Sequence, residues 1–193
     1  KISFDVGTAQ ASHAPSVKSM GITGQLTGSR ADIIIADDIE SANNSQTQLM
    51  RDKLSETVKE FESIVKPGGR ILFLGTPQTE MSVYNQLDER GYKTRIWCAR
   101  YPDDKQKVAY SHKLAPIIGE SDGEAGSPTD PKRFDKDDLL ERELSYGKSG
   151  FALQFMLDVS LSDANKYPLK INDLMVLSGV HTWEEAPVSL KWA

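Results

Sequence analysis

An unbroken apolar run, Ile33 to Ala36, stands out in the pattern of hydrophobic and polar positions. A run this short and continuous is typical of a strand buried on both faces of a parallel sheet, and we predict that this strand covers Ala31 to Asp37. A second apolar run, Ile71 to Leu74, lies within the segment Arg70 to Pro77, which predicts another buried strand that ends in a tight turn. Between them, apolar residues recur at helical spacing and predict a helix of roughly Thr47 to Val65, ended by Pro67-Gly68-Gly69.

Weaker patterns extend this alternation on both sides. The segments Ile2 to Val6 and Val17 to Thr23 predict two short strands ahead of the first run. A short helix that stops at Gly91 and a third candidate strand, Thr94 to Ala99, follow the second run. Strands alternating with helices indicate an α/β fold, with a mainly parallel sheet flanked by helices.

The pattern changes in the second half of the chain. Gly119 to Pro131 is rich in small, acidic and turn-forming residues without apolar periodicity, which predicts a loop or flexible linker. A helix then begins with Asp135 as its N-cap and ends where Gly147 stops it. The apolar and aromatic stretch Gly150 to Leu157 predicts a docking helix, and Leu169 to Leu177 predicts the first strand of a following domain.

Composition narrows the class of protein. The formal net charge of -5 argues against a broad basic surface for nucleic acid, although a local basic stripe remains compatible with it. The single cysteine, Cys98, excludes an internal disulfide and is expected to pack as a small hydrophobe. No apolar run approaches the ~20 residues that span a membrane. The chain opens at Lys1 in the middle of a strand-like pattern, so we expect it to be part of a longer protein.

Three acidic residues, Asp37, Asp38 and Glu40, follow the first buried run. Ligands of open α/β sheets bind outside the carboxyl ends of the strands, where carboxylates can hold Mg²⁺ and position a water as the Walker B element does. Asp37 is the better candidate for Mg²⁺, contacted through water, and Asp38 for polarising the attacking water. Glu40 is longer and competes for that second role. The plain structural alternative is a solvated turn or a helix N-cap.

Other candidates lie at both ends of the predicted strands. Arg30 stands about 20 Å from Asp37 along one strand, so a catalytic Arg30 would act on a neighbouring subunit's nucleotide. Its structural alternative is a surface arginine in a Gly/Ser loop. Thr76 and Gln78 end the second run and should lie beside Asp37, where they can sense a γ-phosphate or position water. The sequence contains no Gly-x-x-x-x-Gly-Lys-Ser/Thr string, so the chain alone cannot be a complete P-loop ATPase.

Four strings carry a resemblance to a known family. They are Gly21 to Asp38, Leu74 to Met81, Arg133-Phe134-Asp135, and Glu141 to Leu157. They resemble the large terminase subunit of short-tailed, podovirus-type bacteriophages, and the resemblance extends from about Ile2 to Leu174. That subunit packages viral DNA into a preformed capsid, with an N-terminal P-loop ATPase domain and a C-terminal RNase H-like nuclease domain.

The resemblance implies a RecA/ASCE-like P-loop domain that lacks its Walker A segment. Residues 1–118 would be the C-terminal part of the ATPase domain, 119–133 a flexible loop, 134–168 a helical connector, and 169–193 the start of the connection to the nuclease domain. The implied cofactors are ATP and Mg²⁺.

The same resemblance implies roles for single residues. Asp37 and Asp38 take the Walker B and catalytic-carboxylate positions, and Glu40 stays open because an Asp-Asp pair departs from the usual Asp-Glu. Thr76 falls in the family's coupling motif, and Arg30 falls near an arginine presented to a neighbouring subunit.

The implied partners are double-stranded viral DNA bound through its backbone, the portal protein, the small terminase subunit and further copies in a ring, with no membrane. The implied place is the cytoplasm of the infected host, at the procapsid portal. Two rival hypotheses remain. One is a non-catalytic terminase remnant that keeps an assembly surface. The other is a metal-dependent nuclease site, which is less favoured because two-metal sites draw acids from separated strands.

Overall fold

The structure, a computed structural model, describes residues 2–9, 14–24 and 28–161. These residues form a mixed α/β arrangement, which confirms the α/β class. The strands are β1 (Ile2–Phe4), β2 (Val17–Ser19), β3 (Ala31–Asp37) and β4 (Val65–Leu74). Strands β1 and β2 pair antiparallel, whereas β3 and β4 pair parallel. A complete P-loop sheet stays a prediction, since each sheet in these ranges has two strands.

Helices connect β3 to β4 and build the second half of the described chain. The helices are α1 (Ala42–Ser45), α2 (Gln48–Lys59), α3 (Phe61–Ile64), α4 (Val83–Gln86), α5 (Asp104–Tyr110), α6 (Pro116–Gly119) and α7 (Lys136–Phe155). Helices α2 and α3 together correspond to the single helix predicted between the two apolar runs. Helix α2 begins at Thr47, whose side chain accepts a hydrogen bond from the Met50 amide. None of the helices in the described ranges is long and apolar enough to span a bilayer.

The parallel pair is packed on one face, which corrects the expectation of burial on both. Ile34, Ala36, Ile71 and Phe73 contribute to a core with helices α2 and α3. The alternate residues point the other way, and Ile33 and Ile35 remain 58% and 61% exposed. Side chains alternate between the faces of a strand, so helices on one face leave every second apolar residue open.

Two predictions are wrong, one about the end of a helix and one about a strand. Pro67-Gly68-Gly69 does not end the helix, because α3 already stops at Ile64 and these three residues lie within β4. The pairing of β3 with β4 shifts register between Ala31 and Ile33, and that irregularity accommodates Gly68 at φ 78°. Thr94 to Ala99 forms no strand; Ile96 makes only an isolated bridge to Leu114.

A second core lies between α5, α6 and α7. Its most buried members include Leu139, Phe151, Ala115 and Cys98. Burial raises the pKa of the Cys98 thiol to about 11, and the expectation that it packs as a small hydrophobe is confirmed. Gly147, at φ 70° and ψ 168°, breaks α7 into two helical stretches, as the sequence predicted.

The start of α7 and the loop before it are tied down by hydrogen bonds. Asp135 caps α7 through the amides of Asp137 and Asp138, which confirms the predicted N-cap. In the loop of residues 119–133, the Thr129 hydroxyl donates to the Cys98 carbonyl over 2.7 Å, and the Thr129 amide donates to the Ala99 carbonyl. The flexibility of the loop of residues 119–133 and the predicted domain boundaries stay predictions. Residues 162–193, including the predicted strand over residues 169–177, lie outside the described residues.

Candidate functional site

Strands β3 and β4 end side by side. Asp37 pairs with Leu74 in the parallel register, and the Asp38 amide donates to the Leu74 carbonyl over 2.9 Å. Because both strands run in the same direction, the residues that follow them leave the sheet at one edge. The structure thus brings the acidic residues after β3 together with the Gly75–Gln78 turn after β4.

Asp37 and Asp38 present open carboxylates at this edge. Both residues are exposed, and Asp38 adopts a left-handed backbone conformation with φ 44°. Aspartate tolerates that conformation better than most residues, because its short polar side chain bonds locally. The turn at Asp38 separates the strand from the buried pair Ile39 and Glu40. Two exposed acidic residues therefore precede a buried one along the chain.

Glu40 faces the protein interior and is only 4% exposed. Its Oε1 accepts a hydrogen bond from the Gln78 amide over 2.9 Å. Its Oε2 accepts from the Ser82 hydroxyl over 3.0 Å and from the Val83 amide over 2.8 Å. A buried carboxylate is tolerated when donors of this kind satisfy its oxygens. Glu40 was a candidate for activating water, yet both of its carboxylate oxygens accept hydrogen bonds from the protein.

Tyr84 joins the same edge, and the sequence analysis missed it. Its hydroxyl donates to the Leu74 carbonyl over 3.2 Å and accepts from the Glu40 amide over 3.4 Å. Burial raises the pKa of Tyr84 to about 12; the hydrogen bond from the Glu40 backbone opposes this rise, and the charges of Glu40 and Asp38 add to it. The phenol therefore stays protonated and remains a donor at neutral pH.

The turn after β4 must approach Tyr84 closely. A Cβ at position 75 would overlap the Tyr84 phenol, so only glycine fits there. In the same turn, the Gln78 side-chain amide donates to the Thr76 carbonyl over 3.2 Å. Thr76 and Gln78 are partly buried. Ser82 and Tyr84 lie in the segment that follows β4, but no local sequence pattern indicates that they contact Glu40.

Arg30 lies away from this edge. It is exposed just before β3 begins, and its guanidinium donates to the Ser29 carbonyl over 2.9 Å. The length of β3 puts it about 20 Å from Asp37. The structure therefore does not bring Arg30 together with the acidic residues of the same chain.

The residues present suit Mg²⁺ better than they suit phosphate. An exposed carboxylate at a strand end, such as Asp37, is the kind of oxygen ligand through which Mg²⁺ is held with its waters. In the part of the chain that the structure covers, no three His, Cys, Asp or Glu side chains cluster as a metal site. The triplet Gly147-Lys148-Ser149 is no phosphate cradle, because Arg142 stands where that string needs its first glycine.

Comparison with known proteins shows what this chain is similar to. No protein-family model matches the chain. The chain is 54% identical over 200 residues to a protein of Enterobacteria phage T3 described as "Terminase, large subunit". The match covers 99% of this chain and 34% of the phage T3 protein, so the chain spans about a third of the length of that curated relative.

Proposed function

We propose that this chain, which belongs to the large-terminase family of podovirus-type phages, is part of an ATP-hydrolysing motor that packages double-stranded DNA into the procapsid. The observation that carries this proposal is the 54% identity over nearly the whole chain. The two exposed carboxylates at the end of β3 support it, because a Walker B element requires acids at such a strand end.

The exposed acids divide the chemistry between them. When bound, ATP with Mg²⁺ supplies the phosphoryl group that is transferred to water. Asp37, at the last position of β3, would hold Mg²⁺ through a water molecule. Asp38 would orient and polarise the attacking water. We favour Asp38 over Glu40 for this task because Asp38 is exposed, whereas Glu40 is buried with both oxygens engaged.

The remaining site residues would serve the nucleotide from other positions. Thr76 and Gln78 stand in the turn after β4 and would sense or position the γ-phosphate and its water. Arg30, at the far end of β3, would reach the nucleotide of a neighbouring subunit rather than its own. This arrangement requires a ring of identical subunits.

The whole motor would need further partners and segments. DNA would be held through its phosphates without regard to sequence. The portal protein and the small terminase subunit would bind the ring in the cytoplasm of the infected host. The phosphate cradle and the nuclease domain would be supplied by segments of the full-length subunit, since the chain itself contains no P-loop string.

Two substitutions in the full-length large subunit that carries this sequence test the proposal. Asp37→Ala and Asp38→Asn should each lower ATP turnover at least about 100-fold. Asparagine tolerates the left-handed conformation as aspartate does, so Asp38→Asn tests the charge rather than the turn. Asp32→Asn is the matched control, because Asp32 is an exposed acid of β3 that pairs with Lys66 instead. Near-normal turnover in both site variants would refute the assignment.

The absent P-loop string also favours one rival, a remnant that keeps the fold and an assembly surface without hydrolysing ATP. The intact mass and the N-terminal peptides of the natural protein separate the two. A mass well above 21.4 kDa with a Gly-Lys-Ser/Thr peptide ahead of Lys1 supports the motor. A natural product that begins near Lys1 supports the remnant.

A further inference from the structure

We infer that Glu40 is a positioning residue that fastens the turn after β3 to the segment after β4, so that the two halves of the site move as one body. We call Glu40 and its three donors, on Gln78, Ser82 and Val83, the Glu40 clasp. Its effect on turnover rests on the proposed function, whereas the clasp itself can be tested without any turnover.

The first observation is the complete engagement of a buried charge. Glu40 receives hydrogen bonds of 2.8 to 3.0 Å from donors that lie 38, 42 and 43 residues away in sequence. The Ser82 side chain is fully buried, and Val83 is 4% exposed. Hydrogen bonds to an ionised acceptor are about twice as strong as neutral ones, and their loss leaves the partners unpaired in the interior. The clasp is therefore a strong link between two distant segments.

The second observation is a parallel route from the same segment to Asp38. The Leu74 carbonyl accepts both the Asp38 amide, over 2.9 Å, and the Tyr84 hydroxyl, over 3.2 Å. The Tyr84 hydroxyl in turn accepts the Glu40 amide. The backbone of Asp38 is thus held at the carbonyl that Tyr84 also contacts, while the Glu40 carboxylate binds residues of the segment between Leu74 and Tyr84.

These contacts turn the Glu40 carboxylate toward the protein interior, whereas Asp37 and Asp38 are exposed. Glu40 follows the exposed Asp38 by two positions in the sequence. Its carboxylate points to the backbone amides of Gln78 and Val83. A shift of the turn after β4 must pull on Glu40, and through the short Asp38-Ile39-Glu40 connection it must move Asp38. Misplacement of a catalytic group by about 1 Å is enough to cost up to ~100-fold in rate.

The first test is Glu40→Gln in the full-length large subunit. The amide keeps the length of the side chain but turns one acceptor into a donor, so the Gln78 amide or the Val83 amide loses its partner. We expect kcat for ATP to fall about 10- to 100-fold, with KM changed by less than about twofold. A rise in KM as large as the fall in kcat, or an unchanged kcat, would overturn the positioning role of Glu40.

The second variant approaches the clasp from a residue that cannot act as a base. Tyr84→Phe removes the hydroxyl that contacts Leu74 and Glu40 and keeps the ring. We expect a smaller fall in kcat, and a combined effect with Glu40→Gln below the product of the two single effects. Glu89→Gln, an exposed acid beyond α4, is the control and should leave kcat unchanged. Independent, multiplying effects of the two site variants would overturn the inference.

Amide hydrogen exchange separates failure of the clasp from failure of the proposed function. In Glu40→Gln, the amides of Gln78, Val83 and Asp38 should exchange faster than in the parent protein. If the parent protein has no ATP turnover, the proposed function fails, and these exchange rates still decide whether the clasp exists. If the parent protein turns over ATP but the three amides exchange at unchanged rates, the clasp is wrong. Tyr84→Phe and Ser82→Ala provide the same reading if Glu40→Gln does not fold.

Discussion

Two neighbouring isoleucines of β3 give the sharpest test of the one-sided sheet. Ile34 packs against the core beneath α2 and α3, whereas Ile35 points to the opposite face and is 61% exposed. The substitutions Ile34→Ala and Ile35→Ala remove the same atoms from adjacent positions of one strand. Any loss of β-propensity is therefore nearly equal in both, and the difference reports packing.

The expected free energies follow from the exposed fractions. Full burial of an isoleucine stabilises the fold by about 1.5–3 kcal/mol, so Ile35, with two-fifths of its surface covered, contributes about 1 kcal/mol or less. Truncating a core isoleucine costs about 2–5 kcal/mol. Ile34 is only partly buried, so we expect about 2 kcal/mol, near the lower end of that range.

Urea unfolding of the 193-residue chain, followed by far-ultraviolet circular dichroism, measures both changes. The midpoint should fall clearly for Ile34→Ala and slightly for Ile35→Ala, with the same slope in all three proteins. Equal losses, or a larger loss for Ile35→Ala, would refute the one-sided packing. The same two substitutions in the full-length subunit then report whether another segment covers the face that carries Ile35. If one does, Ile35→Ala should lower the free energy of unfolding as much as Ile34→Ala.

Two further predictions concern the second core. Asp135→Ala should lower the free energy of unfolding by about 1 kcal/mol, because it removes the N-cap of α7, and Lys136→Ala in the same urea assay is the control; an unchanged midpoint would contradict the role of the cap. The Cys98 thiol should resist a disulfide reagent at pH 8 until urea is added, because it is buried and its pKa is raised to about 11, so little thiolate forms. Rapid labelling of the folded chain would show that this core opens easily.

The sequence predicted those features that depend on neighbours along the chain. The bounds of β3, the N-cap at Asp135 and the break at Gly147 are all written in runs of a few residues, and all three are confirmed. Features that depend on partners far away were missed. Pro67-Gly68-Gly69 has the composition of a helix stop, yet it lies within β4, where the pairing with β3 is interrupted by a register shift.

The candidate site divides in the same way. The alternation and the strand ends placed the Asp37–Glu40 and Thr76–Gln78 segments at one edge of the sheet. The direction of the Glu40 side chain was beyond a local pattern, because donors about 40 residues away decide it. The exposure of Ile33 and Ile35 depends on how many layers cover the sheet, and an apolar run alone cannot tell one covered face from two.

The Glu40 clasp also makes the two ends of the link unequal in how freely they can vary. Gln78 and Val83 contribute only their backbone amides, so nearly any residue except proline keeps these hydrogen bonds. Position 40 contributes a side chain that must be long enough and must accept on both oxygens, which leaves glutamate alone among the amino acids. In a saturation library selected for folding, position 78 would therefore accept broad change and position 83 other apolar residues, because Val83 is buried in the core. Neither position would accept proline, and position 40 would accept little besides the native residue.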